Sequence, residues 1–258
     1  MESIYVNIGD HVLHILLKVQ FPYKSFIKNF KKILNKQSNL EITIYDDYGL
    51  PFKNYDVEIT SSSNQIKYRR ADYLIQVDKD FKHATIHVHN ELALKHAMMN
   101  LYSAFLVHNK WGLLIHSSCA IENGKGHLFS GQSGAGKSTA AKLSFPRDLL
   151  SDEASLVKIE NDSITVFNSP FRSELEAGDY QGSVELNSIQ LLHQSPENNR
   201  VKLDKSDALI QLMDKVFFWP HSPEETKTIM KLLSTLVKQV PVYDLSFQKN
   251  NTFWELIS

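Results

Sequence analysis

The segment Gly131-Gln-Ser-Gly-Ala-Gly136-Lys137-Ser138 constrains this chain more than any other. Its three glycines let the backbone curl so that several N–H groups point into one concavity. The strand-like run Gly126-His-Leu-Phe-Ser130 leads into it, and Ser138 to Ser144 reads as the first turns of a helix. The spacing is that of a phosphate-binding loop, whose anion sits at a helix N-terminus where the dipole favours negative charge. Gly131, Ser133, Gly134, Ala135, Gly136, Lys137, Ser138 and Thr139 are therefore the expected nucleotide-binding residues. Lys137 is expected to reach the β- and γ-phosphates, and the Ser138 hydroxyl to ligate Mg²⁺.

A nucleotide loop also needs a metal-orienting acid from the end of a neighbouring strand. Asp152-Glu153 closes the apolar pair Leu149-Leu150, fifteen residues after Lys137. This predicts a second strand beside the first. Asp152 is the expected general or metal-linked base and Glu153 takes the other role; the two can exchange, and both are available to the metal alongside Ser138. His116 sits in the strand-like run Leu113-Leu-Ile-His-Ser-Ser-Cys119, fifteen residues before Gly131. A lone strand histidine is more often a packed residue, and composition alone does not separate His116 from His14, His87 or His89. Arg172 is the candidate substrate contact, with a surface salt bridge as the alternative. Glu174 and Glu176 are weaker acidic candidates.

Around this centre the chain is strand-rich in front and mixed behind. SIYVNI and HVLHILLKV alternate about Gly9-Asp10, a hairpin signal. Ser25 to Asn35 has the apolar spacing of a short helix, and its lysines read as a solvated outer face. EITIYDD, DVEITSS, IKYRRADYLIQV and ATIHVH follow as strands. Glu91 to Asn109 carries a broad apolar helical face. Asn123-Gly124 is a two-residue hairpin signal ahead of the loop. SLVKIE, SITVFN and VELNSIQLLHQ read as strands, and Lys205 to Phe218 as an amphipathic helix. Ser222-Pro223-Glu224-Glu225 opens another helix, with a serine cap, proline at the first helical position and acids in the first turn. PVYDLSF is the last strand, and Phe253-Trp254 is expected to pack the tail down. The expected division is a β-rich subdomain over 1–95 and a catalytic domain over 96–258.

Composition narrows the classes. Lys and Arg total 28 against 29 Asp and Glu, a net charge of −1, which argues against a generic electrostatic grip on nucleic acid or anionic lipid. Cys119 is the single cysteine, so no disulfide framework and no multi-cysteine metal site arises. The first residues lack a basic leader and a small-residue cleavage site, and no apolar run approaches the roughly 18 residues of a membrane span. A cytoplasmic protein without nucleic-acid or membrane partners is the expectation.

From Ile115 onward, IHSSCAIENGKGHLFSGQSGAGKSTAAKL closing on LLSDEASLV resembles the catalytic domain of HPr kinase/phosphorylase. In that family a histidine on a hairpin strand precedes the loop, and an acidic pair follows an apolar strand. The resemblance spans roughly residues 110 to 180. It implies an α/β P-loop kinase core of the HPr kinase/phosphoenolpyruvate carboxykinase type, a sheet wrapped with helices, behind a β-rich N-terminal subdomain. It also implies that His116 positions the acid pair or the phosphate. The family's Arg-Gly-Leu-Gly signature is missing from SPFRSELEAGDYQGSVELNSIQLL, and Glu153 stands where aspartate is usual. These departures count against phosphorylase activity and the family's hexamer.

The layout fits better with HPr-kinase-like proteins encoded beside ribosomal-peptide maturation genes, including lasso peptide kinases. Ser169-Pro-Phe-Arg172 and the tail VPVYDLSF carry that likeness. It implies ATP- and Mg²⁺-dependent phosphorylation of a serine hydroxyl on a peptide or protein. An HPr-like carrier as acceptor, a nucleotide-loaded peptide-recognition module and a plain NTPase are the alternatives. GTP or pyrophosphate as donor, and a homo-oligomer, stay open.

Overall fold

The computed structural model describes residues 2–34, 37–173, 175, 180 and 182–258. The chain divides into two compact units, one of residues 1–108 with 218–226, the other of 109–217 with 227–258. The sequence-based boundary at 95/96 falls inside a helix that belongs wholly to the first unit.

The first unit is an eight-stranded sheet. β1 (Glu2–Ile8) and β2 (His11–Lys18) form the expected hairpin across Gly9-Asp10. The apolar spacing after Ser25 yields only the single turn α1 (Lys24–Ile27), and then β3 (Lys31–Ile33) pairs back onto β1. β4 (Leu40–Tyr45), β5 (Glu58–Ser61), β6 (Gln65–Arg69), β7 (Tyr73–Asp78) and β8 (His83–Val88) complete the order β3-β1-β2-β4-β8-β7-β6-β5. The run from Ile66 to Val77 is two strands rather than one, folded at Arg70 to Asp72, where Asp72 accepts two bonds from the buried Arg70 guanidinium. Alternate residues such as Ile4, Val6, Leu13, Ile15, Ile42 and Ile44 are buried, the period-two pattern of a sheet with one apolar face. α2 (Glu91–His108) lies against β7 and β8, with Ala97, Met98, Leu101 and Phe105 buried.

The second unit is a closed barrel with a flap of extra strands. β9 (Gly112–Glu122) turns through Asn123 and Gly124, both at positive φ (52° and 76°) as a two-residue hairpin requires, into β10 (Lys125–Ser130). α3 (Lys137–Leu143) and β11 (Leu149–Ser151) follow, then β12 (Ala154–Ile159), β13 (Ile164–Phe167) and β14 (Ser183–Gln194). β9, β12, β13 and β14 pair antiparallel in sequence, and β14 runs parallel beside β10, which itself pairs with β9. Five strands thus close into a ring. Inside it Cys119, Val166 and Val184 meet over Gly126. β15 (Asn199–Lys202), α4 (Lys205–Met213), α5 (Pro223–Gln239) and β16 (Val242–Phe247) complete the chain, with β16 parallel to β14 and β15 antiparallel to β16. The Ser222 hydroxyl caps α5, accepting from Glu225 N at 3.2 Å. The tail packs down through a 3₁₀ turn (Asn251–Leu256), which buries Phe253 and Trp254 with Phe129, Ala140, Leu245 and Phe247.

This architecture overturns the expected α/β kinase core. Strand accounts for 39% of residues and helix for 24%, and the loop-bearing strand belongs to a closed five-stranded barrel rather than to a sheet wrapped by helices. The physical reason lies in strand length and pairing. β14 has twelve residues, enough for its first half to pair with β13 while its second half pairs with β16, and β10 lies along its other edge. The helix after the loop is only seven residues long, because Pro146 disfavours helical backbone at the residue before it. No helix among the described residues is long and apolar enough to cross a membrane.

Candidate functional site

β9 is the axis of the site. On one edge Ser117 pairs with Ser130, the last residue of β10, and on the other Ser117 N donates to Glu153 O at 3.1 Å. The root of the loop and the acid pair therefore flank one strand, about 10 Å apart at two strand spacings. β11 pairs with β9, which stands between it and the loop-bearing β10, so the acid-bearing strand lies one strand further from the loop than expected. β11 ends with Ser151 opposite Cys119, β12 starts with Ala154 opposite His116, and the two acids bridge them.

The loop is held from several sides. Gly136 caps α3 at φ +106°, and a Cβ there would lie 2.8 Å from Phe247 Cζ, so glycine is required for both conformation and space. Ala135 N donates to Gln132 O at 3.1 Å, and Gln194, from the end of β14, donates its amide to Gly134 O at 2.7 Å. Gln132, Ser133 and Gly134 stay exposed, while Ser138 and Thr139 are half-buried. Lys137 is buried, and its ammonium donates to Gly131 O and Gln132 O, each at 3.0 Å. Burial pushes its pKa down, as does Lys215, and Glu153 opposes the shift.

His116 and Ser118 share a face of β9. The Ser118 hydroxyl donates to Lys137 O at 3.1 Å, and the Ser130 hydroxyl to His116 O at 2.8 Å. The His116 ring lies 5.4 Å from that of Phe217. Burial, then Lys137 and Lys215, lower its pKa to about 4, so it is a neutral imidazole near pH 7. The stability consequence has a definite sign. The unfolded chain binds a proton near 6.5 and the folded one only near 4, so this contribution is full above 6.5 and is lost as pH falls toward 4. Urea midpoints should drop across that window, and a His116→Gln variant should show a shallower drop.

The two acids point to different surroundings. Asp152 is buried and accepts from Ser173 N at 3.1 and 3.2 Å, one to each oxygen, and from Leu175 N at 2.9 Å. It tethers the segment after Arg172. Glu153 is half-buried and acts on Lys137. Asp152, the expected base in a pair whose roles can exchange, is thus engaged with backbone amides, while Glu153 lies on the Lys137 side. Arg172 is also spent on structure. Nε donates to Ser169 O at 2.9 Å, and Nη2 to Leu149 O at 3.1 Å and Asn168 Oδ1 at 2.5 Å. With 5% exposure it is a clamp on β11 rather than an open substrate contact. Glu174 and Glu176 lie outside the described residues.

One residue of the site was not foreseen. A cavity of about 640 Å³ opens beside Gly131–Ala135 and is walled by the end of β14 and by Ile210, Asp214 and Lys215. The periodicity of Lys205 to Phe218 reads as one helix, but α4 stops at Met213, and Lys215 turns in toward the loop. The signal available was the apolar run Val216-Phe-Phe-Trp219, too apolar for an exposed helix end. Among the described residues no three His, Cys, Asp or Glu side chains cluster as a metal site.

Residues 80–258 match the family described as ScmC, SynChlorMet cassette protein ScmC, which covers well over half of the chain. The chain belongs to that family. Among curated proteins no match reaches significance.

Proposed function

We propose that this protein transfers the γ-phosphoryl group of ATP to a serine hydroxyl on a peptide or protein. The observation that carries the reading is the loop itself. Exposed loop residues Gln132 to Gly134 line an open cavity, and a buried lysine behind them rests its ammonium on the loop's own carbonyls at the start of a helix. Phosphate oxygens can replace those carbonyls as acceptors with little rearrangement. The residues also suit Mg²⁺, a hard cation that keeps its waters and takes one or two carboxylates plus phosphate oxygens. The Ser138 hydroxyl and the Glu153 carboxylate supply such oxygens. When bound, the metal offsets charge on the transferred group.

The chain's own groups then divide the work. The loop amides and Lys137 hold the phosphate chain. Glu153 orients the serine hydroxyl and accepts its proton late, because that hydroxyl has a very high pKa. Neutral His116 offers a hydrogen bond without adding positive charge. The serine oxygen bonds to phosphorus as the bond to the ADP oxygen breaks. The acceptor class rests on the motif likeness at residues 115–157, which is independent of the barrel fold.

The test is incubation of the purified chain with Mg·ATP and serine-containing peptides. ADP with a phosphorylated peptide is expected. ADP with free phosphate alone would make water the acceptor, and no turnover with retained ATP binding would leave a recognition module; either result overturns the kinase reading.

A further inference from the structure

We propose that Lys215 is a second cationic ligand for the terminal phosphate, set across the cavity from the loop, and that it lets the site distinguish a triphosphate from a diphosphate. This rests on the nucleotide reading above and extends it to a residue that no motif marks.

The backbone places it. β10 leaves the edge of β9 at Ser130, opposite Ser117. Beyond that point the edge is taken over by residues 215–217. His116 N donates to Lys215 O at 2.7 Å, Val216 bridges Ile115, and Phe217 N donates to Leu114 O at 2.9 Å. Lys215 thus holds the ladder position next to the strand end from which the loop springs. β-Type pairing fixes that position more firmly than a helix end would.

The side chain is 10% exposed and shares the wall of the cavity with Gly131–Ala135. Its ammonium meets the Asp214 carboxylate at 2.6 Å, but the Asp214 side chain is 62% exposed. A pair with one partner in water is held weakly and can yield to a phosphate oxygen. Lys137 and Lys215 lie close enough to repel, and both act on His116. Two ammonium groups and a neutral imidazole lie near one another at the root of the loop, with Lys215 in the cavity wall, an arrangement that a polyanion relieves.

The experiment uses calorimetric titration of the full chain with Mg·ATP, Mg·ADP and inorganic tripolyphosphate. Lys215→Met should weaken ATP and tripolyphosphate binding by roughly 10- to 100-fold, the range for a lost charged hydrogen bond, and leave ADP within about threefold. Lys215→Arg should restore most of the loss. Asp214→Asn, a change at an exposed carboxylate that leaves folding intact, frees the lysine and should tighten ATP binding. Equal losses for ATP and ADP, no loss in Lys215→Met, or weaker ATP binding in Asp214→Asn would each overturn the assignment. A wild-type chain that binds none of the three ligands would instead overturn the nucleotide reading on which it rests.

Discussion

On the kinase reading proposed above, replacing Lys137 with methionine should lower phosphoryl transfer by roughly 10²- to 10³-fold or more, the usual effect of removing one preorganised charge from a developing anion. The fold should stay intact. Lys137 is buried, and burial depresses its ammonium, so the folded chain already carries a desolvation cost at this position. Methionine keeps the alkyl volume and removes that cost. The two carbonyls left behind are not equal. Gln132 is exposed and finds water, whereas Gly131 is buried and loses one acceptor contact, an effect of about 1 kcal/mol that offsets the gain. The melting temperature should therefore move by only a few degrees while product formation collapses. Transfer that survives in Lys137→Met would place the phosphate chain elsewhere. A variant that unfolds would mean the lysine is a structural strut for residues 131 and 132.

The contrast between what the sequence announces and what it conceals follows the range of the interactions involved. The loop, the Asn123-Gly124 turn and the Ser222 cap are local devices, decided within about six residues, and all three are legible. The β1–β2 hairpin is legible for the same reason. The pairing of β10 with β14 joins residues some sixty positions apart, and nothing near Leu128 or Ile189 declares it. A likeness built on local motifs therefore carried the wrong architecture with it. The site shows the same division. His116 on β9, Lys137 at the start of α3 and Glu153 after β11 come near one another across pairings of β9 that the short strands alone do not specify. Lys215 arrives only because α4 ends early and the next three residues complete an edge that β10 has vacated. The division between Asp152 and Glu153 depends on backbone amides at Ser173 and Leu175, 21 and 23 residues beyond Asp152, which no spacing rule reaches.

That division makes the sharpest prediction after Lys137. Glu153→Gln should lower turnover by roughly a hundredfold, within the range for loss of a general base, and should change the affinity for Mg·ATP much less. Asp152→Asn should act on the fold first. Its carboxylate is buried, accepts from Ser173 N and Leu175 N, and opposes the burial-driven fall of the Arg172 pKa. An amide keeps one acceptor oxygen and loses the charge. The charge-assisted bonds weaken by about 1–3 kcal/mol in total, and the Arg172 guanidinium is left less compensated. A lower urea midpoint and faster amide exchange at Ser173 and Leu175 are the expected readouts, with turnover per folded molecule nearly retained. The alternative outcome is equally concrete. If Asp152→Asn abolishes turnover at unchanged stability while Glu153→Gln remains active, Asp152 is the base. The tether it makes to residues 173 and 175 would then be what a substrate must displace on entry.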